Sequence, residues 1–162
     1  MENQRIIISG LLGGTLAAIL NSVPVLNFIN CFCCLGIMLG GALALIYFDR
    51  SLAIREYLNP AIAVTIGITS GIIGAFISLG IEWIMFVNFG HWELELLQKM
   101  IENMEDIPEY FEKILIELEN ELHAGFRWTA ILFRNLILMP IFCLFGSLIT
   151  RTILNKNRIP QG

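Results

Sequence analysis

The sequence predicts an all-α integral membrane protein: four transmembrane helices, with an external amphipathic helical hairpin between spans three and four. Three observations lead there. Of 162 residues, 56% are hydrophobic and 15% charged, where a soluble domain carries about half and about a quarter. The mean hydropathy is +0.73, and the apolar residues collect in long runs. Four runs approach or exceed the 20 or so residues with which a helix crosses a bilayer, and inside a bilayer runs this long satisfy their backbone as helices.

The first run covers about 6–26, "IIISGLLGGTLAAILNSVPVL". Only Arg5 and Glu2 charge its leading edge, and it is longer than a signal-peptide core, so it reads as a retained span. The second covers about 31–48, "CFCCLGIMLGGALALIYF". The third covers about 60–87 and opens on Asn59-Pro60. Asn caps a helix well, and Pro at its first position sacrifices no hydrogen bond. The fourth covers about 126–150. All four belong to one membrane domain, 1–162.

Orientation follows the basic flanks. Arg5, Arg50, Arg55, Arg151, Lys156 and Arg158 all fall on one side of a four-span chain. That side is expected to be the cytoplasm, with both termini in it, and the membrane to be the cell membrane. Residues about 91–124 then lie outside. This segment is acidic, and its apolar residues recur at helical spacing: Leu97, Met100, Ile101 and Met104, then Phe111, Ile114, Leu115, Leu118 and Leu122. Asp106 and Glu109 outline a capping box around Pro108. The expectation is two amphipathic helices, about 91–104 and 107–123. Interfacial helices favour Lys and Arg toward anionic lipid, so this acidic pair is expected to pack on itself or on a partner.

Small residues hold membrane helices together by letting backbones approach. Gly10, Gly14, Ala18 and Asn21 form such a stripe in the first span. Gly36, Gly40 and Ala44 form one in the second, and Ala63, Gly67, Gly71, Gly74 and Ser78 one in the third. This predicts a tight three-helix unit. The fourth span is bulkier, with Cys143, Gly146, Ser147 and Thr150 as its small face, and is expected to sit at the edge or to pack loosely on the outside half. "SGLLGGTLA" from Ser9 also echoes "SGIIGAFIS" from Ser70. A duplicated hairpin or a shared need for small stripes accounts for the echo.

Three cysteines crowd the start of the second span: Cys31, Cys33 and Cys34. The leading reading is packing, with Cys as a small soft residue. A Cys31–Cys34 disulfide and thiol-redox activity on an oxidising exterior form an alternative. A metal site formed with His91 or His123 is another, although C-x-C-C splays its thiols. Charged residues within spans are functional suspects. Here they are Glu82 and Arg134, at similar depth in spans three and four, and the leading reading is a salt bridge or snorkelling supported by Trp83, Trp92 and Trp128. An ion or headgroup site is the alternative. No hydrolase, nucleotide-binding or zinc-protease motif occurs. No catalytic residue and no cofactor is assigned. Scattered Lys and Arg exclude nucleic acid as a partner.

"NCFCCLGIMLGGALALIYF" and the preceding "SGLLGGTLAAILNSVPVLN" resemble uncharacterised small multispan membrane proteins of bacteria and archaea, in which an Asn-Cys-rich turn leads into a Gly-Gly helix. The likeness covers the first two spans and implies no activity or cofactor. The expected function is non-enzymatic: helix packing or partner binding in the lipid bilayer, with itself as a homo-oligomer or with another membrane protein. The alternatives are a subunit of a small oligomeric channel or transporter, and the thiol-redox protein above.

Overall fold

A computed structural model describes residues 2–22, 34–52, 57–90, 127–156 and 158, with the isolated positions 99, 113, 116 and 120. Within them the chain is all-α: α1 (Glu2–Ser22), α2 (Leu35–Ser51), α3 (Pro60–Phe89) and α4 (Trp128–Lys156). Three of these are long and apolar enough to cross a membrane: α1 over Asn3–Ser22, α3 and α4. α2 is the shortest at 17 residues, about 25 Å at 1.5 Å per residue. It begins later than the run at 31 and extends to Ser51, past the apolar residues. Positions 31 and 33 and, apart from the isolated positions 99, 113, 116 and 120, the acidic hairpin expected over about 91–124 lie outside the described residues.

Local chemistry sets the helix ends. Asn59 Oδ1 accepts from the Ala61 N–H at 3.0 Å, and Pro60 occupies the first turn of α3. Gly90 ends that helix at φ 64°, ψ −147°, a backbone conformation that a side chain would oppose. α2 starts from Cys34 at φ 55°, whose carbonyl accepts from Ile37 and Met38 at 3.0 and 3.1 Å.

The helices form a closed ring in the order α1–α2–α4–α3, and α2 and α3 meet only across its diagonal. Neighbours in chain order run antiparallel where they touch. Gly13 of α1 meets Gly40 and Ala44 of α2, and Ala17 meets Gly40. Two parallel contacts close the ring. Along α1 and α3, Gly10 meets Thr69 and Ser70, and Gly14 meets Ser70 and Gly74. The two echoing segments, Ser9–Gly14 and Ser70–Gly74, are thus the two faces of one parallel contact. Ser70 Oγ seals it by donating to the Gly10 carbonyl at 3.2 Å.

The fourth helix does not sit at the edge of a three-helix unit. It packs along both α2 and α3. The room comes from its partners' glycines more than from its own small residues. A Cβ at Gly41 would run into the Cys143 carbonyl, and one at Gly71 into the Pro140 backbone. Gly146 returns the favour against the Met38 carbonyl. Among the hydrogen bonds that cross these seams are Cys143 Sγ to the Ile37 carbonyl at 3.4 Å and Ser147 Oγ to the Ala63 carbonyl at 2.9 Å.

One end of the bundle carries Trp83 and Trp128, whose rings lie 4.4 Å apart between α3 and α4. The other end carries Arg50, Arg151 and Lys156. These are called the Trp end and the basic end. Between them the core has two clusters. Ala17, Ala18, Ile37, Ala75, Met139 and Cys143 form one. Ala44, Leu45, Phe48, Leu58, Ala63 and Ile66 form the other, toward the basic end.

Candidate functional site: a polar network across three helices

Polar side chains in apolar helices must find partners within the bundle, because leaving them unpaired is costly. At the Trp end six of them converge from three helices. The hub is Ser78, fully buried on α3. Its Oγ donates to Glu82 Oε1 at 3.0 Å, one turn along the same helix. It accepts from Asn21 Nδ2 of α1 at 3.1 Å and from Asn135 Nδ2 of α4 at 3.2 Å. Ser22 Oγ lies 2.7 Å away and also reaches the Ser78 carbonyl at 3.4 Å.

Glu82 gathers the second half of the network. Oε1 accepts from Asn135 Nδ2 at 3.0 Å. Arg134 Nη2 donates to Oε1 at 3.3 Å and Oε2 at 3.2 Å, while its Nε reaches Asn135 Oδ1 at 3.4 Å. The carboxylate therefore accepts from Ser78, Asn135 and Arg134, and its charge is compensated by both hydrogen bonds and an ion pair. The pair is lopsided: the Arg134 side chain is 57% exposed and that of Glu82 16%. The acid belongs to the interior and the base to the surface.

A second polar group occupies the basic end. Asn155 and Arg151 of α4 bind the backbone of Leu58, just before α3. Arg151 also lies over the Tyr57 ring, 5.6 Å from its centroid. Arg158 pairs with Asp49, which is buried at the end of α2.

The structure thus brings Glu82 and Arg134 together, and it places the small residues Gly10, Gly14, Gly36, Gly40, Gly67, Gly71 and Gly74 in the buried interior. Cys34 is half-buried at the start of α2, and Cys143 is buried between α2 and α4. Cys31, Cys33, His91 and His123 lie outside the described residues. Ser22, Asn135 and Asn155 escape a reading by periodicity. Each is one polar residue in an apolar run or at its edge, and only the rule that such residues face a partner points to them. Family models, curated proteins and solved structures all yield no match to the chain.

Proposed function

We propose that this chain is a four-span integral membrane protein that works without catalysis, as a bundle that binds a protein partner or a second copy of itself. The supporting observation is its inverted distribution of side chains. Buried serines, asparagines, glycines and alanines share the interior with a few large apolar residues such as Ile37, Phe48 and Met139. Large apolar residues face outward along every helix, among them Leu11, Leu39, Phe76, Ile137, Phe145 and Ile153. In water such a surface drives aggregation; in lipid it is solvated. In this reading α2 also spans, both termini are cytoplasmic, and the acidic segment of about 91–124 is presented outside for the partner.

A single bundle makes a poor conduit. Its larger polar side chains gather at the two ends; between them Ser70 and Ser147 are tied to backbone carbonyls, and the backbones close up where Gly13, Gly41 and Gly71 meet neighbouring helices. A pathway through one copy would have to part those contacts. The channel reading therefore requires several copies with a pore between them. The test is the mass of the protein after extraction from the membrane fraction in mild detergent. A defined oligomer, or a complex lost when residues 91–124 are replaced by a Gly-Ser linker, supports the proposal. A protein found in the soluble fraction overturns it.

A further inference from the structure

Arg134 is placed unlike the other charges of the network. It lies six residues after Trp128, about 9 Å along α4. Glu82 lies seven residues before Phe89, about 10 Å from the same end of the bundle. Side chains tilt toward the N-terminus of their helix, so Arg134 leans toward the Trp end, and its exposed guanidinium runs outward along the surface. One edge of that guanidinium is already used: Nη2 on both Glu82 oxygens and Nε on Asn135. Among the described residues Nη1 meets no acceptor. Glu82 thereby clamps the planar group in one orientation and leaves its other edge facing out.

In a bilayer that outer edge faces lipid close to the interface, where long basic side chains reach the headgroups by snorkelling. Two features mark where it would meet them. Arg127 lies seven residues earlier, two turns up the same face, and is exposed. Trp83 and Trp128, tilted against each other, sit beside the pair, and indoles favour the headgroup level. A guanidinium fork matches the geometry of phosphate oxygens. The guanidinium edge left outward by Glu82 presents two donors on one plane, which suits the two non-bridging oxygens of a phosphodiester.

We infer that Arg134, oriented by Glu82 and assisted by Arg127, binds the phosphodiester group of a phospholipid in the leaflet at the Trp end. The inference rests on the membrane reading above.

The test uses full-length protein extracted from the membrane fraction in mild detergent. Retained lipid is weighed by native mass spectrometry. Thermal unfolding is then followed with added phosphatidylglycerol, with diacylglycerol of the same chains, or with inorganic phosphate. The protein is expected to retain phospholipid and to be stabilised by phosphatidylglycerol more than by diacylglycerol. Arg134→Gln should weaken retention roughly tenfold, as loss of a charge-assisted contact does. Arg134→Lys, which keeps the charge but not the fork, should fall between. Arg127→Gln alters an exposed side chain before α4, outside the buried network, so it carries the test if Arg134→Gln does not fold; it too should weaken retention. Unchanged retention in the variants that fold, or equal stabilisation by diacylglycerol, overturns the site. Protection by inorganic phosphate as strong as by phospholipid overturns the lipid assignment in favour of a soluble anion. Failure of the membrane reading is seen separately, as protein absent from the membrane fraction.

Discussion

Asn155 satisfies both backbone groups of Leu58: its Oδ1 accepts from the Leu58 N–H at 3.0 Å and its Nδ2 donates to the Leu58 carbonyl at 3.1 Å. A side-chain amide here does the work of a neighbouring peptide. Both residues are buried, at 4% and 2% exposure, so neither group has water as an alternative. The last turn of α4 is in this way fastened to the segment that leads into α3.

Asn155→Ala should therefore cost about 1–3 kcal/mol, the penalty for stranding the buried Leu58 N–H, while the Leu58 carbonyl keeps Arg151 Nε at 2.8 Å. Asn155→Asp should cost no less, because it replaces the donor to the Leu58 carbonyl with a carboxylate oxygen. Thr152→Ala is the control. Its hydroxyl is exposed and bonds only Leu148 of its own helix, so the change should stay within about 0.5 kcal/mol. Thermal unfolding in detergent ranks the three.

At the Trp end, Ser78→Ala removes the hydroxyl that joins α1, α3 and α4. It should destabilise by roughly 1–3 kcal/mol, since the amides of Asn21 and Asn135 lose an acceptor in a buried site. Thr65→Val is the matched comparison, because the Thr65 hydroxyl is exposed and bonds only the Ala61 carbonyl. Equal melting temperatures for the two variants would show that the network is not a fastener.

Glu82 and Arg134 should behave as a coupled pair. Glu82→Gln and Arg134→Gln should each destabilise, and the double change should cost less than their sum by roughly 0.5–3 kcal/mol. The measurement is a double-mutant cycle by thermal unfolding. Strict additivity would mean that each side chain is stabilised alone.

Gly71→Leu should damage assembly far more than Leu136→Ala. The leucine at position 71 would overlap the Pro140 backbone, whereas Leu136 is 38% exposed on the outside of α4. Overpacking at a backbone contact costs typically 1–3 kcal/mol. The fraction of monodisperse protein on size exclusion separates the two.

Topology is checked with single-cysteine variants at Glu105 and Lys156 in a cysteine-free background. Position 105 should label from outside intact cells, and position 156 only after permeabilisation. External labelling of position 156 would invert the orientation.

Much of this fold is legible in the residues. Long apolar runs locate the helices, and Asn59-Pro60 sets the start of α3 to the residue. The similar depth of Glu82 and Arg134 is readable from their distances to the span ends. The ring order is not, because glycines and alanines occur on several helices and a stripe does not name its partner. Span four misleads for a related reason. Its own surface is bulky, and the space that admits it is carved from Gly41, Gly67 and Gly71 on other helices. Ser22, Asn135 and Asn155 leave no periodic trace, so their partnerships emerge only in three dimensions.

The diagonal placement of α2 and α3 has a consequence for how the molecule is made. As the chain is synthesised, α3 follows α2 but has little to hold on it; its seam is with α1, through the parallel Ser-Gly segments. The first three helices thus leave an open trough, floored by α1 and walled by α2 and α3, with Gly41, Gly67 and Gly71 bare along it. Among the described helices α4, which emerges after these three, fits between those walls, and Asn155 and Arg158 near its end fasten it to Leu58 and Asp49. A chain cut short before α4 therefore keeps the seam between α2 and α3 unclosed, with its glycine backbones uncovered.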